Sequence, residues 1–396
     1  MFSLVITVYN DKILSSVYED GKMVEVSLEN EKSSSYVGNI YVGRVENVVK
    51  NINAAFIEFS RGVKGYYSLE DNKNHIFLNK KNNDKVCQGD LMLVQVVRDA
   101  VKTKPPTLSC NIEFTGKYIA LKKNGTGISI SSKISGVKLK KAIKKSLSSF
   151  ASEEYGIIAR TNCESLYDDD IFSDEELLNE TRNIIEEYNR ILQIAPTRTA
   201  FSLLNERQPD FISTVLNARV DELSEIVTDN IDVYNSIKAL GDVSIDEKIK
   251  LYDDKLLPLN KLYSIDTQIS DALKERIWLK SGAYLVLQPT EALTVIDVNT
   301  GKCVQSKNNR EEIFFKVNQE AAVEIAKQLR LRNYSGIILI DFIDMKEPSH
   351  NTELLELLSG LVLNDPVKTA VVDITRLGLV ELTRKKIKKP LFEQLQ

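Results

Sequence analysis

The apolar and polar positions alternate with period two through the first thirty residues. SLVITVY, KILSSVYED and KMVEVSLE read as three strands, the last two meeting at a turn on Asp20 and Gly21. From Asn39 onward YVGRVENVV, AAFIEFS, KGYYSLE and LMLVQVVRD follow at close spacing between Asn, Gly and Lys turns, the rhythm of a small β-barrel. The stretch from 113 to 205 mixes strands with helices, and the apolar run GIIARTN puts Arg160 and Thr161 at a strand end. Ser173 to Glu176 has the form of a capping box opening a charged helix, which also explains the acids Asp168, Asp169 and Asp170 without a metal. Two or three helices are predicted over 209–248, then a segment around Pro258 and the helix SIDTQISDALKERIWL. From Gly282 the order is strand, turn at Pro289 and Thr290, strand, long helix, strand, helix, strand and helix. The long helix begins near Arg310 and repeats Ile313, Val317, Ala321, Ile325 and Leu329 every four residues, so one face packs on a sheet. A helix of roughly 20 residues spans ~30 Å, enough to return the chain for a parallel strand.

That helix separates two apolar runs that each end in an aspartate, Asp297 in TEALTVIDVNTGK and Asp341 in SGIILIDFIDM. Parallel neighbours would bring both carboxylates to one edge of the sheet, where α/β folds place their chemistry. Two carboxylates about 4 Å apart repel by roughly 4 kcal/mol at an effective dielectric near 20. Either one keeps its proton, or a hard cation such as Mg²⁺ holds both ionised. Asn299 lies on the same face two residues beyond Asp297 and adds a neutral amide. The set Asp297, Asn299 and Asp341 reads as a Mg²⁺ clamp for a phosphate; strand-end aspartates that only cap turns are the alternative. In the barrel, Phe56 and Tyr66 are candidates for base stacking, with Lys104 on the following loop, as in barrels that hold single strands. Tyr67 and Phe59 are assigned to the core, whereas alternation leaves both readings open for Phe56 and Tyr66.

Composition narrows the field further. The chain has 396 residues, room for two to four domains, and a net charge of −4, which excludes a uniformly basic coat. A polyanion would have to meet local patches, and two exist: Lys133, Lys138, Lys140, Lys141, Lys144 and Lys145, and the run RKKIKK from Arg384 to Lys389. A solvated face is the plainer reading of either run alone. Four scattered cysteines, at 87, 110, 163 and 303, suit reduced thiols. With two histidines, His75 and His350, both in polar surroundings, a zinc site of histidines or a Ser-His-Asp triad is not expected. No apolar run reaches the ~18 residues of a membrane span, and a cytoplasmic location is expected.

The segments DEKIKLY, TQISDALKERIWLKSGAYLVLQPTEALTVIDVNTGK, EEIFFKVNQEAAVEIAKQLRLRNYSGIILIDFIDM and ITRLGLVELTRKK resemble those of the ribonuclease E/G family of bacterial endoribonucleases. The likeness runs over nearly the whole chain. It implies an α/β multidomain protein: an RNase H-like domain (1–36 and 208–277) interrupted by an OB-fold RNA-binding barrel (37–112) and a 5′-phosphate sensor region (113–207), followed by a DNase I-like α/β catalytic domain (278–396). The family's metal-binding aspartates fall on Asp297 and Asp341, and its assisting asparagine on Asn299. Its RNA-contacting residues fall on Phe56, Tyr66 and Lys104, and its sensor residues on Gly116, Ala120, Arg160 and Thr161, Ala120 replacing a larger apolar residue. The implied function is Mg²⁺-dependent endonucleolytic cleavage of single-stranded RNA to 5′-phosphate ends, in RNA processing and mRNA decay. A non-catalytic RNA-binding protein using the barrel is the alternative, and a DNase or phosphatase on the same sheet is a third. The Cys-Pro-x-Cys zinc link of tetrameric members is missing after the RKK segment. Zinc and a zinc-linked tetramer are therefore not expected, while a homodimer through other surfaces stays open.

Overall fold

The computed structural model describes residues 2–30, 35–80, 85–100, 104–168, 171–218, 222–301, 310–363 and 365–396. Asp169, Asp170 and Cys303 lie outside them. The architecture is mixed α/β and divides into two compact units, Met1–Glu31 with Glu222–Gln396, and Lys32–Asp221. Strands β1 (Phe2–Tyr9), β2 (Lys12–Glu19) and β3 (Lys22–Asn30) form an antiparallel meander. Its turns place Asn10, Asp11, Asp20 and Gly21 at φ of 50°, 58°, 50° and 76°. That handedness matches the twist of a tight hairpin, and Asn, Asp and Gly adopt it at the lowest steric cost.

Lys32–Asp221 contains β4 (Ile40–Val49), β5 (Ala54–Ser60), β6 (Val63–Ser68), β7 (Leu91–Arg98) and β8 (Thr107–Ser109). They pair in the order β4-β5-β6-β8-β7, and β7 pairs back with β4. The result is a closed five-stranded barrel without open edges. Tyr67 and Phe59 are fully buried in it, as their alternation requires. Next come β9 (Glu113–Thr115), β10 (Ile119–Lys123), β11 (Gly127–Ile130) and β12 (Tyr155–Ala159), a sheet of order β11-β12-β10-β9. Helices α1 (Val137–Leu147) and α2 (Glu175–Ile194) pack on it through Leu139, Ile143, Leu147 and Leu177. The small hairpin β13 (Tyr167–Asp168) and β14 (Ile171–Phe172), strand β15 (Leu203–Asn205) beside β4, and α3 (Asp210–Asn217) complete this unit.

The capping box expected at Ser173 does not form. Helix α2 starts at Glu175, with Asp174 in the cap position and no side-chain cap hydrogen bond. Tertiary partners take the groups instead: Asp174 accepts from the Ser146 hydroxyl at 2.6 Å, and Glu176 accepts from the Tyr118 hydroxyl.

The other unit continues with β16 (Leu223–Thr228), α4 (Ile231–Lys238), α5 (Val243–Asp246), β17 (Ile249–Leu251), α6 (Leu259–Leu262) and α7 (Ile265–Leu273). Helices alone were expected over 209–248, yet β16 lies there and joins β1 in parallel, Leu4 opposite Ile226. Six residues are too few for a periodic signature, and the partner is more than two hundred positions away. Helix α7 stops at Leu273, earlier than the apolar spacing of SIDTQISDALKERIWL suggests, because Arg276–Trp278 becomes β18, paired with β19 (Tyr284–Pro289). Then follow β20 (Leu293–Asn299), α8 (Arg310–Leu331), β21 (Gly336–Asp341), α9 (Pro348–Leu363), β22 (Thr369–Ile374), β23 (Val380–Arg384) and α10 (Leu391–Gln394). The sheet order is β18-β19-β20-β21-β23-β22, six strands where the pattern predicts four. Helix α8 buries Val317, Ala321, Ile325 and Leu329 against it, the face its four-residue spacing foretells.

The RKKIKK patch loses its first member. Arg384 is 4% exposed; its Nε donates to Asp365 Oδ2 at 2.7 Å and its Nη1 to Asn333 Oδ1 at 2.7 Å. Among the described residues no helix is long and apolar enough to cross a membrane.

Candidate active site

Strands β20 and β21 run parallel, and their register sets Asp297 directly beside Asp341. Neighbouring strands lie about 4.8 Å apart, so the two carboxylates share one small region at the end of the ladder. Burial, then the charge of Asp297, then that of Asp344, push the Asp341 carboxyl above its usual value of 3.8. Asn299, two residues on from Asp297 and half-buried like it, donates from Nδ2 to Asp297 Oδ2 at 2.6 Å. This amide fixes the Asp297 side chain and leaves its second oxygen uncommitted to Asn299. Just beyond, Gly301 turns the chain at φ 54°, and a Cβ there would stand 2.2 Å from the Gly282 carbonyl oxygen. Only glycine fits that crossing.

Asp344 was not singled out from the sequence, although its place three residues after Asp341 is visible in DFID. The loop that carries it is held by α8. Asn318, fully buried, accepts the Ile343 N–H at 3.0 Å and donates to the Ile343 carbonyl at 2.8 Å. Glu311 accepts the N–H groups of Lys346 and Glu347 at 3.0 and 3.1 Å and contacts His350 Nδ1 at 3.2 Å. Those backbone N–H groups hold its carboxyl below the usual 4.5, with His350 adding to the effect. Among the described residues no group of three or more His, Cys, Asp or Glu side chains converges into a metal cage. Two adjacent carboxylates with an amide neighbour are instead an open, all-oxygen donor set. That fits Mg²⁺, which takes one or two protein carboxylates and keeps several waters.

On the barrel, Phe56 of β5 and Tyr66 of β6 are register partners, their rings edge to face at 6.2 Å between centroids. Both are half-buried, unlike the fully enclosed Tyr67 beside them. The Tyr66 N–H donates to the Pro106 carbonyl at 2.7 Å, which ties this strand to the segment bearing exposed Lys104 two residues earlier. The two rings thus stand on paired strands, and Lys104 lies in the segment leading into the neighbouring β8.

Arg160 follows β12 and opens a short 3-10 turn, Thr161–Leu166. Its backbone N–H donates to the Tyr118 carbonyl at 2.7 Å, and its Nη1 donates to the Gly116 carbonyl. Nη2 donates to Asn217 Oδ1, at the end of α3. Thr161 Oγ1 lies 3.4 Å from Ser131 Oγ, and Ala120, 8% exposed, sits on β10 opposite Ile158 of β12. Gly116, Ala120, Arg160 and Thr161 therefore surround one pair of strands. Glu180 and Asn217 were missed in the sequence, where nothing separates Glu180 from the other acids of α2. Its carboxylate accepts the N–H groups of Lys117, Tyr118 and Ile119 at 2.8, 2.7 and 2.9 Å, and burial still raises its pKa. A Cβ on Gly116 would meet that carboxyl at 2.6 Å, so the glycine makes room for it. Burial lowers the Arg160 pKa, and the Glu180 charge opposes that shift.

The sequence pattern of the Ribonuclease E/G family matches residues 113–387. Ribonuclease E of Synechocystis sp. is 33% identical over 377 residues, 91% of this chain and 54% of that protein, so the chain spans about half of that relative's length. Ribonuclease G of Salmonella typhimurium is 30% identical over 400 residues, covering 98% of this chain and 80% of that protein. Ribonuclease G of Escherichia coli (strain K12) is 30% identical over 402 residues, with the same shares. Coverage of this extent with an ordered pair of strand-end aspartates has one consequence for classification: the chain belongs to the ribonuclease E/G family.

Proposed function

We propose that the chain is a Mg²⁺-dependent endoribonuclease that cleaves single-stranded RNA to 5′-phosphate ends, in RNA processing and mRNA decay in the cytoplasm. The observation that carries this reading is the side-by-side register of Asp297 and Asp341 with Asn299 bonded to Asp297, in a chain of this family. Asp297 and Asp341 would hold the cation, which when bound supplies a polarised water for attack on a phosphodiester. Asn299 keeps one Asp297 oxygen engaged and so orients the carboxylate. Phe56 and Tyr66 stack bases, each worth ~1–3 kcal/mol, and Lys104 meets the backbone. Arg160 and Thr161, beside Gly116 and Ala120, receive a 5′-monophosphate through charge-assisted hydrogen bonds.

The same proposal takes 1–36 and 208–277 as RNase H-like, 37–112 as an OB-fold, 113–207 as the 5′ sensor and 278–396 as DNase I-like. A homodimer formed without zinc belongs to it as well, and sizing of the protein in solution checks that element. The central test is cleavage of a short A/U-rich RNA with Mg²⁺ titrated. Asp297→Asn and Asp341→Asn should each lower cleavage by on the order of 100-fold or more while RNA binding in EDTA persists. Unchanged cleavage in either variant overturns the assignment, and tight binding by the unmodified chain with no products at any Mg²⁺ level supports the non-catalytic alternative.

A further inference from the structure

Helix α1 carries charge that the reading above does not use. Its 11 residues include Lys138, Lys140, Lys141, Lys144 and Lys145 and no acid, in a chain of net charge −4. Leu139, Ile143 and Leu147 are buried, which at 3.6 residues per turn turns Lys138, Lys141, Lys144 and Lys145 outward. All four are exposed, and the side chains of Lys140, Lys141, Lys144 and Lys145 make no ion pair or hydrogen bond among the described residues. The carboxylates bonded at the two ends are engaged otherwise. Glu164 accepts the N–H and hydroxyl of Ser135 at 2.8 and 3.2 Å, and Asp174 accepts the Ser146 hydroxyl.

This arrangement costs stability. Lys144 and Lys145 suit the negative end of the helix dipole, but Lys138 and Lys140 stand at the positive end, where cations are disfavoured. The pairs 138–141, 140–144, 141–144 and 141–145 are like charges three or four residues apart, each unfavourable by about 0.2–0.5 kcal/mol. A polyanion lying along the face would offset both effects. The apolar face is already buried, so the helix is not free to lie in a membrane surface. The exposed face holds neither aromatic nor arginine, so it suits phosphate contacts without base readout.

We propose that the lysine face of α1 is a second RNA contact, gripping the substrate's phosphate backbone beyond the nucleotides held on the barrel. This rests on the ribonuclease reading, and the test separates the two. Lys141→Gln, Lys144→Gln and Lys145→Gln are combined in the full chain, glutamine being nearly as good a helix former as lysine. Binding of single-stranded A/U-rich RNA of about 30 and about 10 nucleotides is measured in EDTA across a salt series, and cleavage of the shorter RNA in Mg²⁺. The expected result is a roughly tenfold loss of affinity for the longer RNA and a salt slope shallower by about 2, because each lost contact removes ~0.7. Binding and cleavage of the shorter RNA should not change. Unchanged affinity and slope on the longer RNA, or equal losses on both lengths, overturn the proposal. Because binding is read without metal, failure of cleavage in the unmodified chain would sink the ribonuclease reading and leave the lysine contact standing.

Discussion

Arg160 is first of all an architectural residue, and the proposed phosphate contact would be added to that role. Its guanidinium spans the Gly116 carbonyl and Asn217, while Glu180 ties down the three N–H groups that follow Gly116. A phosphate approaching this arginine would meet a guanidinium already aimed by its neighbours, so little ordering entropy is left to lose. Arg160→Ala should therefore reduce cleavage of 5′-monophosphorylated RNA much more than of 5′-hydroxyl RNA, by about tenfold for each 1.4 kcal/mol of lost charge-assisted bonding. Steady-state kinetics on the two substrates checks this; equal losses would mean that the residue acts only as a strut. The position of Arg160 after an apolar strand was legible in GIIARTN, whereas Glu180 was not, because its role depends on a loop sixty residues earlier in the chain.

At the scale of elements, the parallel pair β20 and β21 places its aspartates correctly only if the loop after Asp341 is held. Asn318 does this from inside α8, where it closes both backbone groups of Ile343. The apolar spacing of α8 made its packing face legible, while Asn318, next to Val317, is the one polar residue buried on the helix. Asn318→Leu is nearly matched in volume but strands the Ile343 N–H and carbonyl, at a cost of about 1–3 kcal/mol. Urea unfolding should register that loss, and Mg²⁺ titration of cleavage should shift to higher concentration because Asp344 and Asp341 share the loosened segment. A stability loss with an unchanged Mg²⁺ dependence would confine Asn318 to packing. Among the elements that the sequence did not reveal, β16 and β18 are short strands whose stability comes from a partner rather than from their own periodicity.

For the whole molecule, the inserted unit is one continuous stretch, Lys32–Asp221, with its own barrel core and its own covered sheet. Cut out as residues 32–221, it should unfold cooperatively in thermal melts and bind single-stranded RNA without cleaving it, since both aspartates are left behind. Phe56→Ala in that fragment should weaken binding by ~1–3 kcal/mol. Fluorescence anisotropy checks this, and cleavage by the fragment would contradict the site assignment.

The chain's local rhythm determined most of what was local: the hairpin turns at Asp20 and Gly21, the barrel strands, the four-residue stripe of α8, and the aspartates closing two apolar runs. Each is a residue's response to its own burial, and that is written in its neighbours along the chain. Tertiary structure decided what depends on register between distant segments. It set Asp297 opposite Asp341, turned Arg384 inward to Asp365, brought Glu180 to the Gly116 loop and slid β16 beside β1. Partners across such separations are selected by the packing of the assembled sheet, and no window of sequence contains both members.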